Sequence, residues 1–588
     1  MAILGVDLGT TNSLGVMAIN GNVQLIPNLS GSYMTPSAVR LAKEGIQVGY
    51  PARMQKETDP GSVAVQFKRM MGTDEKIRLS GRKFAPVELS SFVLASLVKD
   101  AETFSGEKIT ELVISVPAYF DEKQRRATRQ AGERLGIPVT RLINEPSAAA
   151  IALRKDREME TVVICDFGGG TLDVSVVDSF ENVISIVAIA GDNHLGGMDI
   201  DLLIAREFAG QLDADWNSLD EEDKNRLLSI AEQAKIRLGS KEMVELPFTF
   251  HGTSKNLHLS SMEMDRILKP VIARIRQVIS KAVSDSGPAF DEIDRLALVG
   301  GSSHLQALRT ALAASLKIPM EASEEADCLV AEGLGEYLAM MERTSQNKEL
   351  VVMDICPFSL SASVLSDYPG ADHESLFLIE RNTVLPAEAV HRVVCHAKGQ
   401  KAVRLQIAQG ESKIFAKNRM IGILEYTFPF HVGRNEKVSI DIVCHYDLDS
   451  VLEIELFFPE KDFSCRFILS EEGRFVPKKE SGPAALTKKE AEYDRMVRDP
   501  ARQLEARASE MIHLLSGEER EMLFEAAGFF KNELEKAKTA RRREQLFHDF
   551  RELLDGFEKR LHSSSLFFEE SGEQPESEDE FDAGGFCA

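Results

Sequence analysis

Short apolar runs alternate with helical stretches along residues 1–345, which is typical of an α/β domain. One pattern occurs twice within this region. Residues 2–9 form an apolar run that ends in a Gly- and Thr-containing turn, and residues 161–171 form a second run that ends in three glycines and a threonine. Each turn leads into another apolar run. The two hairpins, one in each half, predict a duplicated fold with a cleft between the halves.

The pattern changes after residue 345. Residues 346–355 begin as a polar linker and end in the apolar residues Leu350, Val351, Val352 and Met353, followed by Asp354. Residues 356–480 alternate apolar and polar positions, which predicts an antiparallel β domain. Residues 484–565 have helical spacing, for example at Leu546, Phe550, Leu553, Phe557 and Leu561. The acidic tail, residues 566–588, has the composition of a disordered segment.

Composition limits the possible partners and the compartment. The chain has 588 residues, enough for three or four cooperating domains, and its net charge is −24. This charge repels nucleic acids and anionic membrane surfaces, so we expect neither as a partner. The seven cysteines form no C-x-x-C pair and are interpreted as small buried side chains in a reducing compartment. With neither a signal peptide nor a membrane-spanning run in the sequence, we expect a cytoplasmic protein.

The two glycine turns predict a phosphate site. Small residues at a hairpin tip let backbone N–H groups point at phosphate oxygens. Asp7 and Asp166 end the two preceding runs, and their carboxylates could hold Mg²⁺ through its water ligands. A single turn of this kind is usually structural, but the repeated pair favours phosphate binding. The candidate phosphate-binding residues are Gly9, Thr10, Thr11, Asn12, Gly168, Gly169 and Gly170. A third turn at residues 298–303 could admit a nucleoside, and no P-loop sequence is present.

Several segments together resemble the heat-shock protein 70 chaperones. They are DLGTTNS (7–13), ISVPAYF (114–120), NEPSAAA (144–150), DFGGGTLD (166–173), HLGG (194–197), DICPFSL (354–360) and QGE (409–411). The short form, with residues 25–28 and 67–69, looks most like the HscC branch. The resemblance implies an actin-like, ribonuclease H-like duplicated ATPase domain, a β-sandwich substrate-binding domain and a C-terminal helical lid.

The resemblance also implies roles for individual residues. Lys68 would reach the γ-phosphate and the attacking water, Glu145 and Thr171 would position that water, and Asp173 would join the carboxylates around the metal. The remaining nucleotide-binding residues would be Gly196, Gly197, Glu232, Lys235, Gly300, Gly301, Ser302 and Asp327. The family usually has Arg at the position of His304 and Ser at that of Gly239, so we expect weaker adenine contacts and faster nucleotide exchange.

In the second half of the chain, the resemblance implies a peptide site and a coupling route. Val403 and Leu405 would line a pocket for one apolar side chain of an extended peptide, although the same alternation fits plain sandwich core. Pro117 and Arg125 would form an interdomain switch, together with the linker residues 350–354. The implied docking positions for a J-domain co-chaperone are Arg141, Asn144 and Asp354.

Taken together, the motifs predict an ATP-hydrolysing chaperone that takes part in protein folding and the stress response. Its cofactors would be ATP, ADP and Mg²⁺, with K⁺ as a further candidate. Its partners would be unfolded or client polypeptides, a J-domain protein and a nucleotide exchange factor. Two alternatives remain open: a small-molecule kinase, because the same duplicated fold serves kinases, and a nucleotide-clamped scaffold without turnover.

Overall fold

The computed structural model describes most of the chain up to residue 478 and parts of the C-terminal region. The described residues are 2–56, 58–154, 159–180, 183–239, 241–287, 290–323, 325–342, 351–365, 373–448, 451–470, 473–478, 508, 512, 517–536, 546, 550, 553, 554 and 557. The chain divides into two compact units, Met1–Lys478 and Lys479–Ala588. The first unit contains a two-lobed domain, a linker strand and a β domain.

The first lobe is built on a mixed sheet with the strand order β11-β10-β1-β2-β3. Its strands are β1 (Ala2–Asp7), β2 (Asn12–Ile19), β3 (Asn22–Ile26), β4 (Thr35–Pro36), β5 (Ala38–Ala42), β6 (Gly45–Val48), β7 (Val63–Val65), β8 (Ile77–Leu79), β9 (Arg82–Phe84), β10 (Ile109–Val116) and β11 (Val139–Asn144). Its helices are α1 (Tyr50–Arg53), α2 (Pro86–Ser105), α3 (Glu122–Glu133) and α4 (Glu145–Leu153). Short 3₁₀ turns cover Pro60–Ser62 and Phe67–Met70.

The second lobe is built on another mixed sheet with the order β18-β17-β12-β13-β14-β19. Its own strands are β12 (Met159–Phe167), β13 (Leu172–Phe180), β14 (Val183–Asp192), β15 (Met243–Phe250), β16 (Thr253–Ser260), β17 (Arg295–Val299) and β18 (Met320–Ala322). Its helices are α5 (Gly197–Gln211), α6 (Glu221–Leu238), α7 (Ser261–Ser286), α8 (Gln306–Leu316) and α9 (Leu329–Glu342). The 3₁₀ turns are Trp216–Ser218, Phe290–Glu292 and Gly301–His304.

The two sheets repeat one topology. In each, three antiparallel strands are followed by two that run parallel to the first, as β3-β2-β1-β10-β11 and as β14-β13-β12-β17-β18. The central strands of both sheets are buried on both faces, which explains their almost continuous apolar runs. The repetition agrees with the predicted duplicated, actin-like fold. It places the β1–β2 and β12–β13 turns at equivalent positions in the two lobes.

The linker supplies the outermost strand of the second sheet. Strand β19 (Val351–Met353) pairs in parallel with β14, with Val351 opposite Val183 and Met353 opposite Ser185. Leu350 lies outside the described residues. Residues 351–353, predicted as part of the linker, therefore form a strand in the sheet of the second lobe.

The β domain is a rolled nine-stranded sheet with the order β21-β20-β23-β24-β28-β27-β26-β25-β22. Its terminal strands approach each other, and His391 Nε2 lies 2.9 Å from the Leu378 carbonyl oxygen. One apolar core fills the inside, which fits the predicted sandwich. The strands are β20 (Leu360–Leu365), β21 (His373–Ile379), β22 (Ala387–Val394), β23 (Ala402–Gln409), β24 (Arg419–Thr427), β25 (Ser439–Tyr446), β26 (Leu452–Phe458), β27 (Phe463–Leu469) and β28 (Arg474–Pro477). Two 3₁₀ turns, Phe415–Lys417 and Pro459–Lys461, connect strands.

The second unit is described only in part. It contains helix α10 (Gly517–Lys536), and it has a core of Ala508, Leu523, Phe530, Leu546, Phe550, Leu554 and Phe557. The predicted spacing holds at 546, 550 and 557, but the buried residue of the intervening turn is Leu554, because Leu553 is partly exposed. Leu561 and residues 566–588 lie outside the described residues.

Of the six described cysteines, Cys165, Cys356, Cys395 and Cys444 are buried, and Cys328 and Cys465 are partly buried. This agrees with their interpretation as small packed side chains. Among the described residues, no helix has both the length and the apolarity to cross a bilayer.

Candidate functional site

The two predicted phosphate turns face each other across the cleft. The β1–β2 turn carries Thr10 and Thr11, and the β12–β13 turn carries Gly169 and Gly170. A Cβ atom on Gly170 would lie 2.8 Å from Thr10 Cγ2, and one on Gly169 would overlap the Thr11 side chain. Glycine is therefore required at the tip of the second turn because the two lobes meet there.

The N-terminus of α5 completes the same wall of the cleft. The Gly197 amide donates to the Gly168 carbonyl at 3.0 Å, and the Met198 amide donates to the Gly169 carbonyl at 2.9 Å. A Cβ atom on Gly196 would lie 2.6 Å from the Gly170 nitrogen, so this close approach also depends on glycine. A helix N-terminus and two glycine turns thus converge on one place, an arrangement suited to phosphate.

Three aspartates lie behind the two turns. Asp7 Oδ1 accepts a hydrogen bond from Ser115 Oγ at 2.8 Å, and Asp173 Oδ1 accepts one from the Tyr119 amide at 3.1 Å. Burial, together with the nearby Glu145 carboxylate, raises the pKa of Asp7 to about 6 and that of Asp173 to about 7. The same two causes raise the pKa of Asp166 well above its ordinary value. Burial and the carboxylates around these groups thus disfavour their charged forms, although Lys68 acts in the opposite direction.

A buried ion pair adjoins the aspartates. Lys68 Nζ lies 2.8 Å from Glu145 Oε1, and both side chains are less than one-tenth exposed. Lys68 also lies over the Phe120 ring, with its Nζ atom 5.5 Å from the ring centre. Lys68 comes from the 3₁₀ turn Phe67–Met70 and Glu145 begins α4, so two distant parts of the first lobe place a cation and a carboxylate side by side.

The three carboxylates could hold a divalent cation through its water ligands and not by direct coordination. Among the described residues, no group of three or more His, Cys, Asp or Glu side chains is close enough to hold a metal directly. The raised pKa values of Asp7, Asp166 and Asp173 nevertheless show that this pocket would gain from added positive charge. Mg²⁺ retains several water ligands and would suit carboxylates that act through those waters.

The predicted nucleoside residues line the second lobe beside the turns. Ser302 Oγ donates to the Gly168 carbonyl at 2.8 Å, and Lys235 Nζ donates to the Gly197 carbonyl at 3.1 Å and pairs with Asp201 Oδ1 at 2.7 Å. A Cβ atom on Gly301 would lie 2.6 Å from Asp327 Oδ1, which leaves no room there for a side chain. The structure therefore brings the third glycine turn next to the second.

Two ion pairs border this region. Arg53 of the first lobe pairs with Glu232 of the second, with Nη2 2.6 Å from Oε1, so Glu232 connects the lobes in this arrangement. His304 Nε2 lies 3.1 Å from Asp327 Oδ2.

Gly239 follows the last residue of α6 with φ +45°, in the left-handed region where a serine would be strained. This backbone gives a physical reason for glycine there.

Arg125, one of the two residues predicted to form an interdomain switch with the linker, is buried and makes three hydrogen bonds. Arg125 Nη2 donates to the Ala118 carbonyl at 3.1 Å and to Asn144 Oδ1 at 2.6 Å, while Nε donates to the Phe120 carbonyl at 3.1 Å. Pro117 opens the same segment, which the Phe120-to-Pro117 backbone bond folds into a turn. Arg125 thus holds the loop of residues 117–122, here called the switch loop, against the strand that leads to Glu145.

The switch loop contacts both the aspartates and the β domain, which the sequence motifs did not reveal. The Tyr119 amide binds Asp173, and the Tyr119 ring lies against Phe358 with the ring centres 4.4 Å apart. At the end of the loop, Asp121 caps α3 and pairs with Arg419 of β24. The only sequence signal for these roles is the ISVPAYF motif, which does not identify its partners.

Further contacts join the β domain to the two-lobed domain. The Glu122 amide donates to Gln409 Oε1 at 3.2 Å, and Arg381 pairs with Asp285 of α7. Asp354, at the end of the linker strand, accepts a hydrogen bond from Ser147 Oγ at 2.6 Å. The predicted docking positions Asn144 and Asp354 therefore have intramolecular partners here, and Arg141 lies over the Tyr337 ring.

The two predicted peptide-binding residues lie on β23 with their side chains directed into the β domain. Val403 is 9% exposed and Leu405 is 5% exposed, and both belong to the continuous core. Arg404 points to the other face and pairs with Glu425 at 3.1 Å. The apolar and polar side chains of β23 thus alternate between its two faces, as the sequence predicted. The arrangement is compatible both with a closed apolar pocket and with ordinary core.

Comparison with known families adds one finding. A family model described as Hsp70 protein matches residues 3–78 and 73–455, which cover most of the 588-residue chain. The match includes both phosphate turns, the linker and the β domain as far as strand β26. It confirms the family that the sequence motifs predicted, whereas assignment to one branch stays a prediction.

Proposed function

The chain belongs to the Hsp70 family of chaperones, and we propose that it uses ATP hydrolysis to bind and release extended apolar segments of client polypeptides. The observation that carries this proposal is the switch loop, which contacts Asp173 on one side and Phe358 of the β domain on the other. A change of charge at the cleft would therefore move a segment that also supports the peptide domain.

Catalysis would depend on four residues of the cleft. Lys68 would stabilise the charge that develops on the transferred phosphoryl group, and Glu145 and Thr171 would orient the attacking water. One well-placed cation of this kind is worth about 3 kcal/mol, or roughly a hundredfold in rate. Asp173 would transmit a change in the nucleotide site to the switch loop, because its carboxylate accepts a hydrogen bond from the Tyr119 amide.

The nucleotide would lie across both lobes. Its phosphates would contact the two turns and the start of α5, and its nucleoside would contact Glu232, Lys235 and the glycine turn that contains Ser302. Asp7 and Asp166 would hold Mg²⁺ through water, and this ion would supply the positive charge that the buried carboxylates lack. Because Glu232 pairs with Arg53 here, nucleotide binding would compete with that bridge between the lobes.

In the β domain, Val403 and Leu405 would receive one apolar side chain of an extended client segment. Both are buried while the β domain rests on the two-lobed domain, so peptide access would require the domain contacts or the rolled sheet to change. We propose client polypeptides, a J-domain protein and a nucleotide exchange factor as partners, with a cytoplasmic site of action.

A small-molecule kinase is the less favoured alternative. Such an enzyme would need an acceptor pocket with its own carboxylate, and it would give no role to the linker strand on the second-lobe sheet. A scaffold that never hydrolyses nucleotide is disfavoured by the intact Lys68–Glu145 pair.

The proposed function is tested by two measurements on the full-length protein. Mg·ATP alone, without an added acceptor, should yield inorganic phosphate, and ATP should accelerate dissociation of a fluorescent apolar peptide. Lys68→Ala should reduce phosphate formation about a hundredfold and still bind ATP. Its matched control is Lys76→Ala, which removes an exposed lysine of the same lobe. Phosphate formation that requires a sugar-like acceptor would contradict the chaperone assignment.

A further inference from the structure

Arg69 follows Lys68 in the same 3₁₀ turn, but its side chain takes a different course. Lys68 is buried against Glu145. The guanidinium of Arg69 instead crosses to the second lobe, where Nε donates to the Gly170 carbonyl oxygen at 2.9 Å and Nη2 lies 2.7 Å from Asp199 Oδ2. One side chain therefore joins the first lobe to both the second phosphate turn and helix α5.

Asp199 is well placed to hold that guanidinium. The same Oδ2 atom accepts the Gly196 amide at 2.8 Å, so the carboxylate also caps the N-terminus of α5. This second bond fixes the carboxylate relative to the phosphate turn. Arg69 thus binds both Gly170 and Asp199 at the place where the two lobes meet. We call these three residues the bridge.

The bridge adjoins, in sequence, residues that are assigned to the phosphate end of the nucleotide. Gly170 precedes Thr171, which is assigned to position the attacking water, and Arg69 follows Lys68, which is assigned to the γ-phosphate and that water. The Arg69 side chain is 21% exposed and that of Asp199 is 28% exposed, so the bridge is more accessible to solvent than the buried Lys68–Glu145 pair. A phosphate ion formed beside Lys68 would meet the guanidinium on this route out of the cleft.

We propose that Arg69 and Asp199 form a gate that retains inorganic phosphate after hydrolysis. While the guanidinium is bound to Asp199 and Gly170, the lobes are joined and the exit is closed. When the ion pair opens, phosphate leaves, and the second turn is free to move away from the first lobe. The pair would therefore set the interval between bond cleavage and loss of phosphate. This inference rests on the proposed ATPase function.

The electrostatics of the pair suit a gate better than permanent cross-linking. A guanidinium binds phosphate with the same fork geometry that it uses for a carboxylate, so the departing phosphate competes with Asp199 for Arg69. Partly exposed ion pairs are also weak, contributing only about 1 kcal/mol or less. Such a contact can open on each catalytic cycle, whereas the buried Lys68–Glu145 pair cannot open without a larger cost.

The test uses Asp199→Asn in the full-length protein. Asparagine keeps an oxygen that can accept the Gly196 amide, but it loses the charge that holds Arg69. Single-turnover reactions with Mg·ATP are followed in parallel by acid quench, which reports bond cleavage, and by a fluorescent sensor of free inorganic phosphate. In the wild type, free phosphate should lag behind cleavage. In Asp199→Asn, the lag should shorten roughly threefold to tenfold, while cleavage stays within about twofold.

Arg69→Lys should shorten the lag in the same direction, since lysine cannot bind Gly170 and Asp199 as a planar fork. Glu207→Gln is the matched control because it removes a carboxylate of the same helix, one that pairs with Arg266 at 2.8 Å away from the turns. Its lag should equal that of the wild type.

The possible failures are distinguishable. Absence of any bond cleavage in the wild type would overturn the ATPase function itself. Cleavage without a lag in the wild type, or an Asp199→Asn lag that is unchanged or longer, would overturn the gate and leave the ATPase function intact.

Discussion

At the scale of single residues, the sequence predicted the groups that belong to a repeated local pattern. Asp7 and Asp166 were identified because each ends a strand before a glycine turn. Lys68 and Glu145 could be identified only by family resemblance, because the two partners of this ion pair are 77 positions apart and neither has a distinctive local sequence. Arg69 belongs to the segment 67–69 that entered the resemblance, but nothing in the sequence indicated its partners, which are a backbone carbonyl and a carboxylate on the other lobe.

The buried aspartates predict a dependence of stability on pH. Asp173 has a pKa raised to about 7 in the folded protein, mainly through burial, against about 4 in an unfolded chain. Between these values the folded state binds more protons than the unfolded state, so this group lowers the free energy of unfolding as the pH rises. The contribution is absent below pH about 4 and complete above pH about 7.

Asp173→Asn should therefore stabilise the nucleotide-free protein at pH 8, on the order of 2 kcal/mol, and change little at pH 4.5. Asparagine can still accept the Tyr119 amide, so the fold of the switch loop is kept. Urea unfolding of both proteins at the two pH values measures the difference. Asp178→Asn on the same strand provides a control for loss of charge. A mutant that is equally or less stable at pH 8 would show that the Asp173 carboxylate carries no burial penalty.

At the scale of elements, the sequence defined most strands but could not assign the linker. Four apolar residues after a polar stretch fit either the first strand of the β domain or a separate segment. The structure pairs residues 351–353 with β14, and the chain then joins the β domain through the hydrogen bond from the Leu385 amide to the Asp354 carbonyl and through the backbone pairing of Ile355 with Val384. Short apolar runs do not encode their partner strand, because pairing depends on which edge is free in the folded protein.

The switch loop leads to a prediction about coupling. Tyr119→Ala should remove the ring contact with Phe358 but retain the backbone bond to Asp173. We expect peptide to stimulate ATP hydrolysis at least threefold less in the mutant, while hydrolysis without peptide stays near the wild-type rate. The loss reflects one aromatic pair, worth about 0.5–1.5 kcal/mol.

Phe358→Ala should reproduce this loss from the β-domain side, and the double mutant should be no worse than either single mutant. Tyr33→Ala, at a half-exposed tyrosine of the first lobe, serves as the control. Steady-state ATPase rates with and without a saturating apolar peptide give the stimulation. Full stimulation in Tyr119→Ala would exclude the ring pair from the coupling route.

At the scale of the whole molecule, the sequence predicted separate domains joined by a coupling route, but not the individual contacts between them. Residues 1–478 form one compact unit because the linker strand, the switch loop and the Arg381–Asp285 pair all connect the β domain to the two lobes. These contacts join residues far apart in sequence, and several use backbone groups. No local pattern predicts such an interface. The C-terminal unit lies wholly beyond the family match, which ends at residue 455, and its helical character was predicted from helical spacing and from the resemblance.

The central claim is that docking of the linker strand couples ATP to the peptide site. In water, apolar linker side chains forgo about 1.5–3 kcal/mol each relative to full burial, so an undocked linker is costly and a docked one stabilises the domain contacts. ATP would need to favour the docked state by only a few kcal/mol to shift the population. Reciprocity then requires bound peptide to alter ATP affinity by the same factor.

The most direct test of this claim is the rate of peptide release in a variant that carries Val351→Asp and Val352→Asp. Two carboxylates on β19 should prevent it from pairing with β14, while the nucleotide site is unchanged. Val351→Ile with Val352→Ile is the control that keeps an apolar strand. We predict that ATP binds the Asp variant but no longer accelerates dissociation of a fluorescent apolar peptide, whereas the Ile variant responds as the wild type does. Acceleration of release by ATP in the Asp variant to the wild-type extent would contradict the account.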